Sequence, residues 1–515
     1  MRTPGNMNKP QSVASGLKAM LLLCLCLISS AGFAQTPASI NLSDLFALAR
    51  QHDAQYLAAA SQLQADLETE NQSLAALLPN VNLGARLEKQ ENTYDAFGMS
   101  VDASRNPGTY SLVLNQALFR PQAWESHKQS QLIGEIGRLS FKQAEQDLIL
   151  RLSRAYFDLL SVRDELDNLS LLKAAIAEQL AFAKANFEVG SATITDQQEA
   201  QARFDLVVAQ ELAAENQLAV RQLQLETIVG KRFNALASLK QDTQLSTPAP
   251  NNADVWAQQA RDNNLQAQQA KLAQLLAKAE VNKARYGHLP TLDLTAQMVE
   301  TEQQIFDGTS GRPFDIGVDS TTIGLVMNVP IFSGGGTQSK VRQQVALLEK
   351  SLNNRDFAER SAAQSAKAAF LGVQSSLAQV RALETALSSS ELALQSNKTA
   401  FEVGIRINVD VLNAQQQLNA TQRDLSKAKY ASLINMLELQ AAAGQLNTAA
   451  LNEINRLLTP HGKPFGSVAS RKAGNQPQRV NTSDSARQNF VGLPHGDSWH
   501  KQMRLSSQIR RLDTR

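Results

Sequence analysis

The stretch FEVGSATITDQQEAQ, Phe187 to Gln201, is written a second time as FEVGIRINVDVLNAQ, Phe401 to Gln415. Both copies hold FEVG, an aspartate nine residues after the Phe (Asp196, Asp410) and a closing Ala-Gln. Gly190 and Gly404 supply the left-handed residue that ends a helix, and Thr195 and Asn408 can cap the helix that follows. Each phrase is therefore predicted to be the turn at the tip of a helical hairpin.

The echo is one point on a longer diagonal. Ala49-Arg50 matches Ala260-Arg261 and Leu78-Pro79 matches Leu289-Pro290 at an offset of 211, Phe119 matches Phe332 at 213, and the tips match at 214. So slow a drift marks an internal duplication, with a period far too long for a solenoid. It divides the chain into residues 1–34, a first repeat (35–230), a linker (231–251), a second repeat (252–445) and a tail (446–515).

Within each repeat the hydrophobic period changes. Residues 41–78 and 252–289 are rich in Ala, Gln and Leu and helical in pattern. After Pro79 the period becomes two: Val81, Leu83, Ala85 and Leu87 alternate with polar neighbours or Gly. After Pro290, Leu292, Leu294, Ala296 and Met298 do the same. Partner strands are expected at about Thr109–Leu118 and Thr322–Val329, giving hairpins over about 80–119 and 291–332. The segments between them, Asn92–Pro107 and Thr301–Ser320, read as polar loops. Each hairpin leads through a junction (Pro121 in the first repeat; Pro330, Gly334 and Gly335 in the second) into a very long helix. From Leu152 through Ala155, Leu159, Val162, Leu166, Leu169, Ile176, Leu180, Ala183 and Phe187 the apolar spacing alternates 3 and 4, interrupted once at Lys173. That is a coiled-coil seam. The long helical hairpins are predicted over 121–230 and 337–444.

Strands of about this length suit a tilted crossing of a bilayer, and only a closed barrel satisfies their backbone there. Four strands are too few, since barrels begin at about eight. The chain must oligomerise, with 8 strands as a dimer or 12 as a trimer.

Composition fits an exported envelope protein. Lys9 and Lys18 precede the apolar run Ala19–Ile28, and small residues at Gly32 and Ala34 suit cleavage before Gln35, so residues 1–34 read as a signal peptide. The two cysteines, Cys24 and Cys26, lie inside that segment, which excludes thiol chemistry from the remainder. Residues 1–34 carry three positive charges, and 460–515 carry ten Lys/Arg against three Asp. Of the chain's net +2, this leaves −8 on residues 35–459. The tail is polar, basic and without sustained period, and it is expected to lack fixed structure. The six histidines are scattered, so neither metal nor cofactor is expected, and nothing reads as a catalytic constellation.

The junctions NQALFRPQAW (Asn115–Trp124) and NVPIFSGGGTQSKV (Asn328–Val341), the two tips, and LINMLELQAAAG (Leu433–Gly444) resemble the TolC family of outer-membrane channel proteins, over about residues 40–450. The resemblance implies an α+β membrane protein: a homotrimer whose 12-stranded β-barrel, four strands per protomer, continues into a periplasmic α-helical tunnel with a closed tip. It implies an efflux or type I secretion duct in a Gram-negative outer membrane, embedded in its lipid and not an enzyme. It also implies a periplasmic adaptor and an inner-membrane transporter as partners; no nucleic acid is expected.

It further implies a periplasmic constriction built from Phe401, Arg406, Asp410 and Asn413, with Thr195 and Asp196 of the first tip as partners. Three Asp410 carboxylates around an axis would repel one another and attract cations, and an Arg406–Asp196 ion pair would latch the tips. A second reading makes Asp196 and Asp410 ordinary first-turn carboxylates that favour a helix N-terminus. Phe401 stands where the family often has Tyr, and Asn413 where it often has a second acid, so fewer latch and ring contacts are expected. SGGGT (Ser333–Thr337) reads as a strand-to-helix hinge because no phosphate-binding lysine follows. The competing function is a structural coiled-coil protein of the envelope or surface without channel activity, which leaves the alternating strands unexplained.

Removing the residues after Pro460 is expected to leave oligomer assembly and export unchanged. Loss of the detergent-resistant oligomer on gels would overturn the reading of the tail.

Overall fold

The computed structural model describes residues 40–459, apart from 97, 106–107, 234, 241–242 and 307–312. The expected signal peptide and the chain beyond Thr459 lie outside the described residues.

Each repeat opens with a broken helix: α1 (Leu42–His52) and α2 (Ala54–Ala75) in the first, α5 (Ala253–Asn263) and α6 (Leu265–Arg285) in the second. The break is a shared cap. Asp53 ends α1 and accepts the Tyr56 N–H at 2.8 Å to begin α2, and Asn264 does the same by accepting from Gln266 and Ala267. Asp53 also receives both terminal nitrogens of Arg151 at 3.0 and 3.1 Å. Burial pushes its carboxyl up, but Arg151 and the backbone N–H groups outweigh that and hold it below the usual carboxylate range.

The first repeat continues through β1 (Asn80–Leu87), β2 (Gln90–Ala96), β3 (Met99–Arg105) and β4 (Gly108–Phe119). The second continues through β5 (Thr291–Phe306) and β6 (Pro313–Asn328). β1, β4, β5 and β6 form one antiparallel sheet in the order β1-β4-β5-β6. The polar segments expected as loops are largely strand. β2 and β3 pair as their own ribbon, with Thr93 donating to Asp102 at 2.7 Å, and β5 and β6 stay paired from Thr291↔Asn328 to Phe306↔Pro313. Cross-strand pairing outweighed a turn-like composition.

Register fixes the faces. Leu83 lies opposite Leu112, Leu112 opposite Met298, Leu294 opposite Leu325, and Leu292 opposite Met327. Residues opposite one another share a face, so these Leu and Met residues of all four strands lie together. Asn82, Ser111, Thr295 and Gly324 share the other side. Leu83 is 81% exposed and Ile323 74%, so the apolar face packs against nothing in its own chain.

Two long helical hairpins follow. α3 (Pro121–Glu188, 68 residues) returns as α4 (Ile194–Val229), and α7 (Gly336–Glu402, 67 residues) returns as α8 (Asn408–Ala442). At ~1.5 Å per residue the outgoing helices run about 100 Å. Pro121 is placed at the start of α3, where its missing N–H costs nothing; at the other junction Pro330 precedes Gly334 and Gly335, whose φ of 60 and 79° turn the chain into α7. The interrupted seam position is explained: Lys173 pairs with Glu211 of α4, a charge pair set into an otherwise apolar interface.

A belt of packing surrounds the middle of α3. Tyr156 and Phe157 are fully buried there with Leu42, Leu45 and Leu236, and the Tyr156 hydroxyl donates to Ala237 O at 2.5 Å. The segment read as a linker is thus a strap: Leu236 bridges Ile40, and Leu239 bridges Leu458. Residues 446–459, read as the start of an unstructured tail, instead include α9 (Thr448–Arg456), capped by Asn447 and buried through Ala450, Leu451 and Ile454. Its three buried residues were too few to register as a period. Gly444 completes the repeat symmetry. A Cβ there would meet Asn263 O at 2.1 Å, and one on its counterpart Gly230 would meet His52 Cβ at 2.6 Å, at the matching end of α1.

Leu292→Arg is expected to destabilise the membrane-embedded protein by about 2–4 kcal/mol, whereas Thr295→Arg on the polar face should be tolerated. Equal small effects in denaturant titrations of the reconstituted protein would reverse or abolish the assigned faces.

Candidate gate at the hairpin tips

The two tips are built alike on the side where a helix ends. Gly190 and Gly404 have φ of 76 and 78°. The N–H of the following residue reaches back five positions, Ser191 to Asn186 O at 2.8 Å and Ile405 to Ala400 O at 2.8 Å. The glycine N–H bonds to Phe187 O or Phe401 O, at 3.0 Å in each. This double closure satisfies carbonyls the helix end would otherwise leave unpaired.

They differ on the side where the next helix begins. Thr193, not Thr195, caps α4: its hydroxyl accepts the Asp196 N–H at 3.2 Å, while the Asp196 carboxylate accepts the Thr193 N–H at 3.0 Å. That reciprocal box occupies Asp196. Thr195 sits exposed within the first turn. In the second tip the cap position is Ile407, which has no side chain to offer, and Asn408 is the first residue of α8 rather than its cap. Asn408 is buried, and neither of its side-chain polar atoms has a hydrogen-bond partner. Asp410, the counterpart of Asp196, is therefore free of capping and accepts instead from Arg406 at 3.4 Å, one turn back. Within the chain, Arg406 pairs with Asp410 rather than with Asp196.

Three contacts hold the tip halves together. The rings of Phe401 and Phe182 meet edge to face at 5.5 Å, joining the end of α7 to that of α3. Leu412 of α8 inserts among Ile176, Leu180, Ala183 and Ala200 of the first hairpin. Asn413, exposed on α8, accepts from Arg203 of α4 at 2.9 Å. The same guanidinium donates to Gln416 at 2.6 Å and to Glu199 at 3.0 Å. Phe182, Leu412 and Arg203 were not legible as tip residues. Glu199 and Arg203 read as a routine surface pair four residues apart, and only the packing of α4 against α8 gives the arginine its second set of partners.

Farther along, the hairpins are stitched by polar contacts between α3 and α8: Asn419 to Asn168 O at 3.1 Å, Lys427 to Glu165 at 3.1 Å, and the Tyr430 hydroxyl to Asp164 at 2.5 Å. Burial, with the neighbouring Asp164 charge, pushes the Tyr430 hydroxyl well above its usual range, so it remains a donor. Among the described residues, no group of three or more His, Cys, Asp or Glu is arranged to hold a metal, and no helix is long and apolar enough to cross a membrane.

This arrangement, a sheet bearing an outward apolar face above two long coiled hairpins, matches known proteins. The family model described as outer membrane efflux protein matches residues 45–231 and 256–445. The chain belongs to the outer membrane efflux protein family. It is 30% identical to outer membrane protein TolC of Escherichia coli over 469 residues, 90% of this chain and 94% of that protein. It is 28% identical to the alkaline protease secretion protein AprF of Pseudomonas aeruginosa over 80% of this chain and 86% of that one. In structure it is similar to the Campylobacter jejuni CmeC outer membrane channel, with a TM-score of 0.67 at 16% identity over 88% of this chain and 98% of that chain. The protein is thus an outer-membrane export channel of a Gram-negative bacterium, in a family made of channel proteins rather than enzymes.

Thr193→Ala should loosen the first tip by about 1 kcal/mol, the usual worth of an N-cap. Ile407→Thr should rebuild the same box on Asp410 and slow amide exchange at the start of α8. Unchanged exchange at both tips would show that the turn, not the cap, sets their stability.

Proposed function

We propose that three copies of this channel close a 12-stranded barrel and a helical tunnel whose far end is gated by the second tips. The observation that supports this most directly is the four-stranded sheet with β1 and β6 at its edges and an apolar face that meets no protein. In lipid each unpaired edge group costs several kcal/mol, so β6 of one copy must find β1 of the next. Three copies rather than two accord with the family resemblance and leave room for a lumen.

The exit duct would work with an inner-membrane transporter and a periplasmic adaptor. Relatives carry names of protease secretion (AprF) and of cation efflux (CusC). A lumen lined by Asn, Ser, Thr and Gly suits both, and cargo choice falls to the transporter.

In the gate, Asp410 is the anion of the second tip that capping leaves unused, and three-fold symmetry would bring three of them around the axis. Arg406, paired within its own chain, screens that charge. In this reading Arg406→Ala raises conductance because the carboxylates repel unscreened, by ~1 kcal/mol per protomer for a partly exposed pair. Asp410→Asn lowers cation preference while barely changing conductance. Both are read in planar bilayers. Unchanged selectivity in Asp410→Asn together with unchanged conductance in Arg406→Ala would return these residues to helix-end electrostatics.

A further inference from the structure

Arg203 lies outside the set of residues that the resemblance points to, yet it makes more contacts across the tip than any of them. Its side chain is 19% exposed. One terminal nitrogen donates to Gln416 at 2.6 Å, and the other is shared between Asn413 at 2.9 Å and Glu199 at 3.0 Å. Its Nε is buried without a partner, so the guanidinium is held by its terminal amino groups alone. The two amide acceptors lie three residues apart on one face of α8, the spacing that lets a planar fork grip a helix from the side.

We propose that Arg203 is a reversible clasp that fixes the start of α8 against α4 and must let go when the tip opens. The proposal rests on the gate reading above and extends it to the first hairpin.

The chemistry of the partners makes the clasp releasable. Both acceptors on α8 are neutral, so parting the helices strands no carboxylate in a dry interface. The cation leaves with Glu199 still beside it on its own helix. An acid at position 413 would change this: separation would then part opposite charges, and the clasp would hold more tightly. Leu412, between Val411 and Asn413, ties the same turn into the first hairpin's seam, so a movement of Asn413 away from Arg203 carries Asp410 and the rest of that turn with it.

The test uses the full-length trimer in planar bilayers. Arg203→Ala is expected to raise the frequency of the conducting state roughly tenfold, the population shift carried by one charge-assisted hydrogen bond. Arg203→Lys, which keeps the charge but lacks the fork, should fall between. Asn413→Asp should lower the frequency when Arg203 is present and lose that effect in the Arg203→Ala background, a coupling that mere structural support would not produce. Wild-type behaviour in Arg203→Ala alongside leaky Arg406→Ala channels would overturn the clasp and keep the gate. Wild-type behaviour in both would overturn both. Should Arg203→Ala fail to assemble, the sign of the Asn413→Asp effect decides: a higher frequency would overturn the clasp.

Discussion

A backbone N–H or C=O without a partner in hydrocarbon costs several kcal/mol, and this chain presents two such rows, along β1 and β6. The rest of the structure answers that constraint. In the proposed assembly other copies of the chain close these edges. There the copies stand around an axis, and the helices leaving the strands stand around it with them. Their seams then run lengthwise, as the alternating 3 and 4 spacing of α3 does. A Lys–Glu pair interrupts that seam, and a polar pair of this kind fixes how one helix slides along the other.

Duplication gave the chain two matching halves, and divergence made their tips unlike. The two repeats keep the same shared helix caps, the same tight glycine contacts and the same helix-ending closure at the tips. At the tips they part where the returning helix begins. Thr193 captures Asp196 in a capping box, whereas Ile407 offers no hydroxyl and Asp410 accepts from Arg406 instead. One hydroxyl thus separates a carboxylate tied to its own cap from one turned to an arginine.

Much of this was open to reading in the residues. The strands announced themselves because alternation from Val81 to Leu87 and from Leu292 to Met298 has period two, and register then carried it across all four strands. The long helices were legible from the seam. The segments around Asn92–Pro107 and Thr301–Ser320 were misread because their Asp, Ser, Asn and Gly match turn composition, while their pairing depends on a partner strand that composition cannot see. Thr195 reads as a possible cap, but a capping box requires a spacing of three, which Thr193 has to Asp196. Arg203 stayed hidden for a different reason: its partners lie more than two hundred residues away in sequence.

The hairpin turns also bear on the order in which the molecule comes together. Each tip joins two long helices through a handful of residues, so the helical contacts are close in sequence and can zip upward from the turn. The β4–β5 pairing is of another kind, joining Leu112 of the first repeat to Met298 of the second. Contacts between distant residues form slowly because a large loop must first be closed. The two hairpins are stitched side by side by Tyr430, Lys427 and Asn419. Once they stand together, the helices act as a jig for the sheet, whose open edges and bare apolar face are the least supported part of the chain.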